Sequence, residues 1–245
     1  MTERQEHILI SLIREYIHAA EPVGSEVLVE RYRLPYSSAT VRLELADLEA
    51  AGFLTHPHTS AGRVPTCRGY RHFVDEHRKH YALPRTEVLR LQEDLREAHA
   101  HDSRLARRTT KILATLTGNL AIAGVSDREE FHEAGLPELL EEPEFAAAEC
   151  IRDVSRLLDA LDAHVSDLTR ERMREARVYI GEENPYVRTH HVSMLVTTCD
   201  LPSGERALLA LIGPTRMRYD RNLSILEHIA RVLETPARSS HGGSP

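Results

Sequence analysis

Residues 56–75, HPHTSAGRVPTCRGYRHFVD, gather side chains that can do chemistry into one short run. Three guanidinium groups (Arg63, Arg68, Arg71) stand among the hydroxyls of Thr59, Ser60 and Thr66, the thiol of Cys67 and three imidazoles. Guanidinium and hydroxyl donors on a loop stiffened by proline suit the oxygens of a phosphate. His56 and His58 form an HxH pair, which places two imidazoles on one face of an extended segment. A metal would need a third and fourth ligand, and the sequence offers none at recognisable spacing. The three cysteines, Cys67, Cys150 and Cys199, lie far apart with no CxxC pair. Free thiols in a reducing compartment are expected, with no metal and no cofactor.

The elements that must hold this loop precede it. Thr2 and Gln5 have capping-box spacing, and Ile8, Leu9, Leu12, Ile13, Tyr16 and Ile17 follow as one apolar stripe at helical period. EPVG (21–24) breaks that helix. Ser25 is placed to cap a short second helix through Tyr32, with Leu28, Val29 and Tyr32 inward. Pro35 disfavours helix at Leu34, so RLPY reads as a turn. Ser37 can cap a third helix, SATVRLELADLEA, which Gly52 would end. FLTH and GRVPT then read as two short strands around PHTSA. Three helices followed by a two-stranded wing make a winged helix-turn-helix. The bland alternative on this pattern is a generic three-helix domain.

The third helix has an unusual outward face. At 100° per residue, Val41, Leu45 and Leu48 share the core side, and Ala39, Leu43, Ala46 and Ala50 fall opposite. A solvated helix would carry lysine and glutamate there. Small residues instead let a helix axis enter the major groove of double-stranded DNA, with flanking groups on phosphates. The candidate DNA-binding residues are Ser37, Ser38, Ala39, Thr40, Arg42 and Leu43 on this helix, and His58, Thr59, Ser60, Arg63 and Arg68 on the wing. The bland reading of Leu43 is contact with another part of the protein.

Composition agrees with an ordinary soluble protein: 245 residues, 41% hydrophobic and 28% charged. The net charge of −7 does not advertise nucleic-acid binding. Its distribution is more informative. Between Thr55 and His80, five positive side chains face two negative ones, a local +3. No apolar run is long enough to span a membrane. MTERQEHILI is charged and then amphipathic, unlike a signal peptide, which predicts a cytoplasmic protein. HExxH, P-loop, GxSxG and glycine-rich nucleotide motifs are all missing from the sequence, so an enzyme is not expected.

Residues 70–81 read as a linking helix ended by Pro84. From 86 to 117, Val88, Leu91, Leu95, Ala98, Asp102, Leu105, Thr109, Ile112 and Leu116 alternate three and four apart. This spacing predicts one long amphipathic helix, pairing with its own copy or packing on the C-terminal half. The rest is α+β in character. LAIAGV (120–125) and ARVYIG (176–181) read as strands, and HHVSMLVTTCD and ERALLALIGP as a hairpin around LPSG. An acidic loop or short helix follows 125, then a long helix within 147–173. YDRNLSILEHIARVLE closes the fold, with Ile225, Leu226, Ile229 and Leu233 on one face. The predicted division is a winged-helix domain over 1–80, a linking helix over 81–118, an α+β domain over 119–235 and a disordered tail over 236–245.

The runs TERQEHILISLIREYIHAAEPVGSEVLVERY, SSATVRLELADLEAAGFLTHPHTSAGRVPTCRGYRHFVD and IGPTRMRYDRNLSILEHIARVLE resemble the HrcA family of heat-inducible transcription repressors. PHTSAGRVPTxxGYR is the most specific of these motifs, and PEF (143–145), IGEEN (180–184) and IGPTRM (212–217) also look like family landmarks. The resemblance implies a homodimer that binds an inverted-repeat operator upstream of chaperone genes. It also implies a GAF-like dimerisation and regulatory domain, and a chaperonin that maintains the active form. Two departures stand out. Leu43 occupies a position where the family usually has asparagine, which predicts an altered or relaxed operator preference. The chain is also shorter, with the loss between LTGNLAIAG and RVYIGEEN, which predicts a trimmed version of that domain. A ligand- or metal-triggered regulator, or a paralogue with changed specificity, remain alternatives.

Overall fold

A computed structural model describes residues 1–58, 61–78, 81–99, 105–125 and 130–235. The N-terminal part holds α1 (Glu3–Ala19), α2 (Ser25–Tyr32) and α3 (Ser38–Ala50), then a hairpin of β1 (Leu54–Thr55) and β2 (Val64–Pro65). Thr2 and Gln5 close the capping box on α1 as their spacing predicts. Ile8, Leu9, Leu12 and Ile13 are fully buried against Leu28, Val41, Leu45 and Leu48, so the apolar stripes of three helices share one core. Ser37 caps α3, its hydroxyl accepting from the Thr40 amide at 3.1 Å. Gly52 follows the helix with a φ of +79°, the left-handed geometry that glycine tolerates best. Ser25 is not the cap of α2. Gly24 stands at that position without a side-chain hydrogen bond, and the Ser25 hydroxyl instead meets the Ser38 hydroxyl at 3.0 Å.

Helix α4 (Cys67–His77) begins three residues before the expected linking helix, because Thr66 caps it by accepting from the Gly69 amide at 3.2 Å. The long helix expected over 86–117 is two helices, α5 (Arg85–His99) and α6 (Leu105–Thr117), which pack on each other. Part of the heptad seam is buried, and its partner within the chain is internal. Leu91, Leu95, Leu105 and Thr109 are buried, and α5 and α6 pack with α9 (Tyr219–Glu234) against a sheet. Asp102 and the tail 236–245 lie outside the described residues.

The sheet has five antiparallel strands in the order β4-β3-β7-β6-β5: Glu130–Ala134, Leu120–Val125, Arg206–Pro214, Val192–Asp200 and Arg177–Ile180. Alternate residues serve opposite faces. Ala121, Ala123, Leu195, Leu209 and Leu211 join the core beneath α9, whereas Leu120, Ile122, Met194, Val196, Leu208 and Ile212 meet α8 (Ala148–Arg170). Coverage on both sides explains why these strands read as unbroken apolar runs. Strand β4 falls where a loop or short helix was expected. Its residues, EFHEA, are half charged, and pairing with β3 decides their conformation. The short helix α7 (Leu136–Leu140) and a 3₁₀ turn at Pro143–Ala146 come next. Among the described residues no helix is long and apolar enough to cross a membrane.

Candidate nucleic-acid interface

Helix α3 divides as its wheel predicts. Val41, Leu45 and Leu48 are buried, while Ala39, Arg42, Leu43, Ala46 and Ala50 are exposed. Leu43 is 71% exposed, the most open of the large apolar side chains among the described residues. It therefore makes no substantial contact with the other described residues. Glu44 breaks the outward pattern differently: it is buried and forms an ion pair with Arg4, whose guanidinium also lies 5.8 Å from the Tyr36 ring centroid. The hydroxyls at the start of α3 are engaged locally. Ser37 Oγ lies 2.8 Å from Thr40 Oγ1, and Ser38 pairs with Ser25 across the α2–α3 turn. These groups fix the helix N-terminus, whose free amides and partial positive charge remain an anion-binding feature.

The hairpin is tied firmly to α3 and to the loop before α2. Val23 and Arg63 exchange backbone hydrogen bonds of 2.9 and 2.8 Å. Gly62 permits this approach, since a Cβ there would sit 2.5 Å from the Val23 carbonyl group. The Arg63 side chain turns back to Glu49, with Nε 2.7 Å from Oε2, and His56 pairs with the same carboxylate. Arg68 donates to the Ala51 carbonyl at 2.8 Å and lies 4.6 Å from the Phe53 ring centroid. The structure thus gives Arg63 and Arg68 positioning contacts within the protein. His58 is exposed, and Thr59 and Ser60 lie outside the described residues.

The local +3 is not an open basic stripe either. Arg71 and Arg78 point toward the sheet domain, to Glu183 and Glu227. Two other cations fit a phosphate better. Arg42, on the flank of α3, and Arg33, in the α2–α3 turn, are exposed and have no ion-pair partner among the described residues. Sequence reasoning missed Arg33. Its signal was available, as an arginine just beyond a helix end, where it takes the left-handed conformation with φ +50°. His56 and His58 gather no further ligands, and no group of three metal-binding side chains occurs among the described residues.

The layout defines a class first: an α+β protein whose small N-terminal helical unit, with an exposed smooth helix face, is set against a sandwiched antiparallel sheet. The family described as HrcA protein C terminal domain matches residues 73–223. A heat-inducible transcription repressor of Brevibacillus brevis is 24% identical over 95% of this chain and 97% of its own length. That alignment runs over 331 positions, more than the 245 residues present here, so the relative carries segments this chain lacks. A repressor of the same description from Kocuria rhizophila is 47% identical over 119 residues, 49% of this chain and 35% of its own. A crystal structure titled only as a hypothetical protein shares the fold over 96% of both chains, with a TM-score of 0.73 at 18% identity. The chain belongs to the HrcA family of heat-inducible transcription repressors.

Proposed function

We propose that the chain represses transcription by binding double-stranded DNA as a homodimer through a winged helix-turn-helix at 1–80. Helix α3 enters the major groove and the β1–β2 wing lies along the backbone. One observation carries the reading. The outward face of α3 is small and apolar, with Leu43 71% exposed and unengaged, beside a hairpin locked to the same helix. An apolar side chain that open is available for a partner to cover, and a thymine methyl is a suitable cover. Within this reading Ser37, Ser38, Ala39, Thr40, Arg42 and Leu43 face the groove. Arg33 joins Arg42 on phosphates. His58, which Arg63 and Arg68 support within the wing, is a further contact, and Thr59 and Ser60 are proposed to donate to phosphates.

Residues 81–118 and 119–235 act together as a GAF-like dimerisation and regulatory part, since α6 packs on the sheet and α5 packs on α6 and α9. The operator is an inverted repeat upstream of chaperone genes, and a chaperonin maintains the active form, both on the strength of family membership. Induction by heat then requires an active state only a few kcal/mol below its alternatives.

The test is a titration of purified protein onto an inverted-repeat duplex and a scrambled duplex at two salt concentrations. Binding about 10³-fold tighter to the repeat supports the reading. Equal, weak and salt-labile binding to both refutes it for this operator and directs the search to another sequence.

A further inference from the structure

Three motifs remain unused by the DNA-binding reading: PEF, IGEEN and IGPTRM. In the fold they converge, with the end of α1 and with α4, on one seam between the N-terminal unit and the sheet domain. Arg216 of IGPTRM is a largely buried guanidinium. Its Nε bonds Glu144 of PEF, another nitrogen reaches Glu142, and Nη1 donates at 3.2 Å to the carbonyl of Ile17, near the end of α1. Glu183 of IGEEN receives Arg71 in a two-point grip, with Nε to Oε1 at 3.0 Å and Nη2 to Oε2.

Strand β5 adds a second geometric point. It is an edge strand, paired with β6 alone. Its outward carbonyl at Val178 accepts from Arg71 Nη2 at 2.7 Å, and the carbonyl of Ala176 just before it accepts from Arg78 Nη2. Arg78 Nη2 also lies 2.9 Å from Glu227 on α9. Helix α4 thus runs along the sheet edge, and two arginines seven residues apart take alternate carbonyls of the free strand. That arrangement covers an edge that would otherwise invite pairing.

Apolar contact also crosses the seam, as in the Tyr70–Tyr219 ring pair with centroids 5.8 Å apart. Such contact is non-directional and tolerates sliding. A forked guanidinium–carboxylate grip sets an angle as well as a distance. A cavity of about 510 Å³ lies in the seam, lined by Tyr16, Cys67, Tyr70, Glu144 and Arg216 among others, and the buried Tyr70 hydroxyl has no hydrogen-bond partner. The polar ties add direction to that apolar contact.

We propose that Arg71, Arg78 and Arg216 are positioning residues for DNA reading: they fix the angle of the N-terminal unit on the sheet domain, and with it the spacing of the two reading helices in a dimer. This rests on the DNA-binding reading above. Arginine is required for its fork, so lysine does not replace it.

The test compares the full-length wild type with Arg71→Gln/Arg216→Gln. Duplexes are first selected from a random library by the wild type. Affinity is then measured for the selected repeat, for a single half-site, and for the repeat with about five base pairs inserted, half a helical turn. The wild type is expected to lose about 10²-fold on insertion, the scale of avidity lost when geometry forbids simultaneous engagement. The variant is expected to lose less than about 10-fold, because flexible linkage lowers discrimination by geometry, while its single half-site affinity stays unchanged. Small-angle X-ray scattering without DNA is expected to show a larger radius of gyration for the variant. Identical spacer dependence together with identical scattering overturns the proposal. If the wild type selects no repeat, the DNA-binding reading fails, and the scattering comparison alone still decides whether these arginines set the inter-unit angle. Should the glutamine variant unfold, Arg71→Lys/Arg216→Lys keeps the charges and is expected to show the same loosening.

Discussion

Replacing Leu43 by alanine separates a DNA-reading side chain from a structural one. Full burial of a leucine side chain contributes about 1.5–3 kcal/mol. With the residue 71% exposed in the free protein, most of that surface is still available, so closing it against a base edge contributes about 1–2 kcal/mol per protomer. That corresponds to a roughly 5–30-fold weaker Kd for a half-site when the side chain is cut back to alanine. Folding stability should barely move, by less than about 0.5 kcal/mol, because little contact is lost in the free protein. The assay pairs a binding titration on a half-site duplex with thermal unfolding of the free protein. Unchanged affinity would refute the groove assignment. A substantial fall in melting temperature would show that Leu43 supports the fold. Leu43→Asn extends the experiment: asparagine reads adenine through two hydrogen bonds, so base preference at one position should change by about 1–3 kcal/mol. If neither affinity nor preference changed, this position would not explain an altered operator.

Other expectations follow from the same structure. Leu45→Ala, two positions away on the buried face, should cost about 2–5 kcal/mol of stability and abolish binding through unfolding, measured by denaturant titration. Ser37→Ala removes the cap of α3 and should cost about 0.5–2 kcal/mol; a shift no larger than that of an exposed control such as Asp47→Ala would show the cap is idle. Burial pushes the Cys199 thiol up to about 12, so it should resist alkylation in the native protein at pH 8 and react only on unfolding, as counted by mass spectrometry. Because its folded value is raised, the protonated thiol favours the native state, and that stability is lost as pH rises from the ordinary thiol range through about 12. His228 is shifted the other way, its pKa lowered by burial and then by Arg231. Its neutral form favours folding, so stability should fall as pH drops below the ordinary imidazole range, and His228→Gln should flatten that slope.

The N-terminal part was legible because its signals are local. Capping residues at Thr2 and Ser37 act on amides three residues away, and the apolar stripes of α1 and α3 need only helical period. Strand β3 was legible as an apolar run, and β6 and β7 as the two arms of a hairpin around LPSG. Three features were not. Strand β4 depends on its neighbour β3, which short-range propensity cannot see. The 86–117 seam places Leu91, Leu95, Leu105 and Thr109 in the core but does not show which surface buries them, and the same spacing suits a coiled coil or a folded-back pair. Arg63, Arg68, Arg71 and Arg78 read as an open basic stretch because charge is visible in sequence whereas direction is not.

By itself the sequence determined the family, the existence and type of most elements, and which face of α3 points outward. Those properties follow from periodicity and from contacts within a few residues, where chain connectivity already fixes the geometry. Tertiary structure alone decided what each arginine touches. Arg63 finds Glu49, Arg71 finds Glu183 and Arg216 finds Glu144 and the end of α1 across gaps of up to 199 residues. A guanidinium is equally suited to a phosphate, a carboxylate or a backbone carbonyl, and only the fold brings one of these within 3 Å of it.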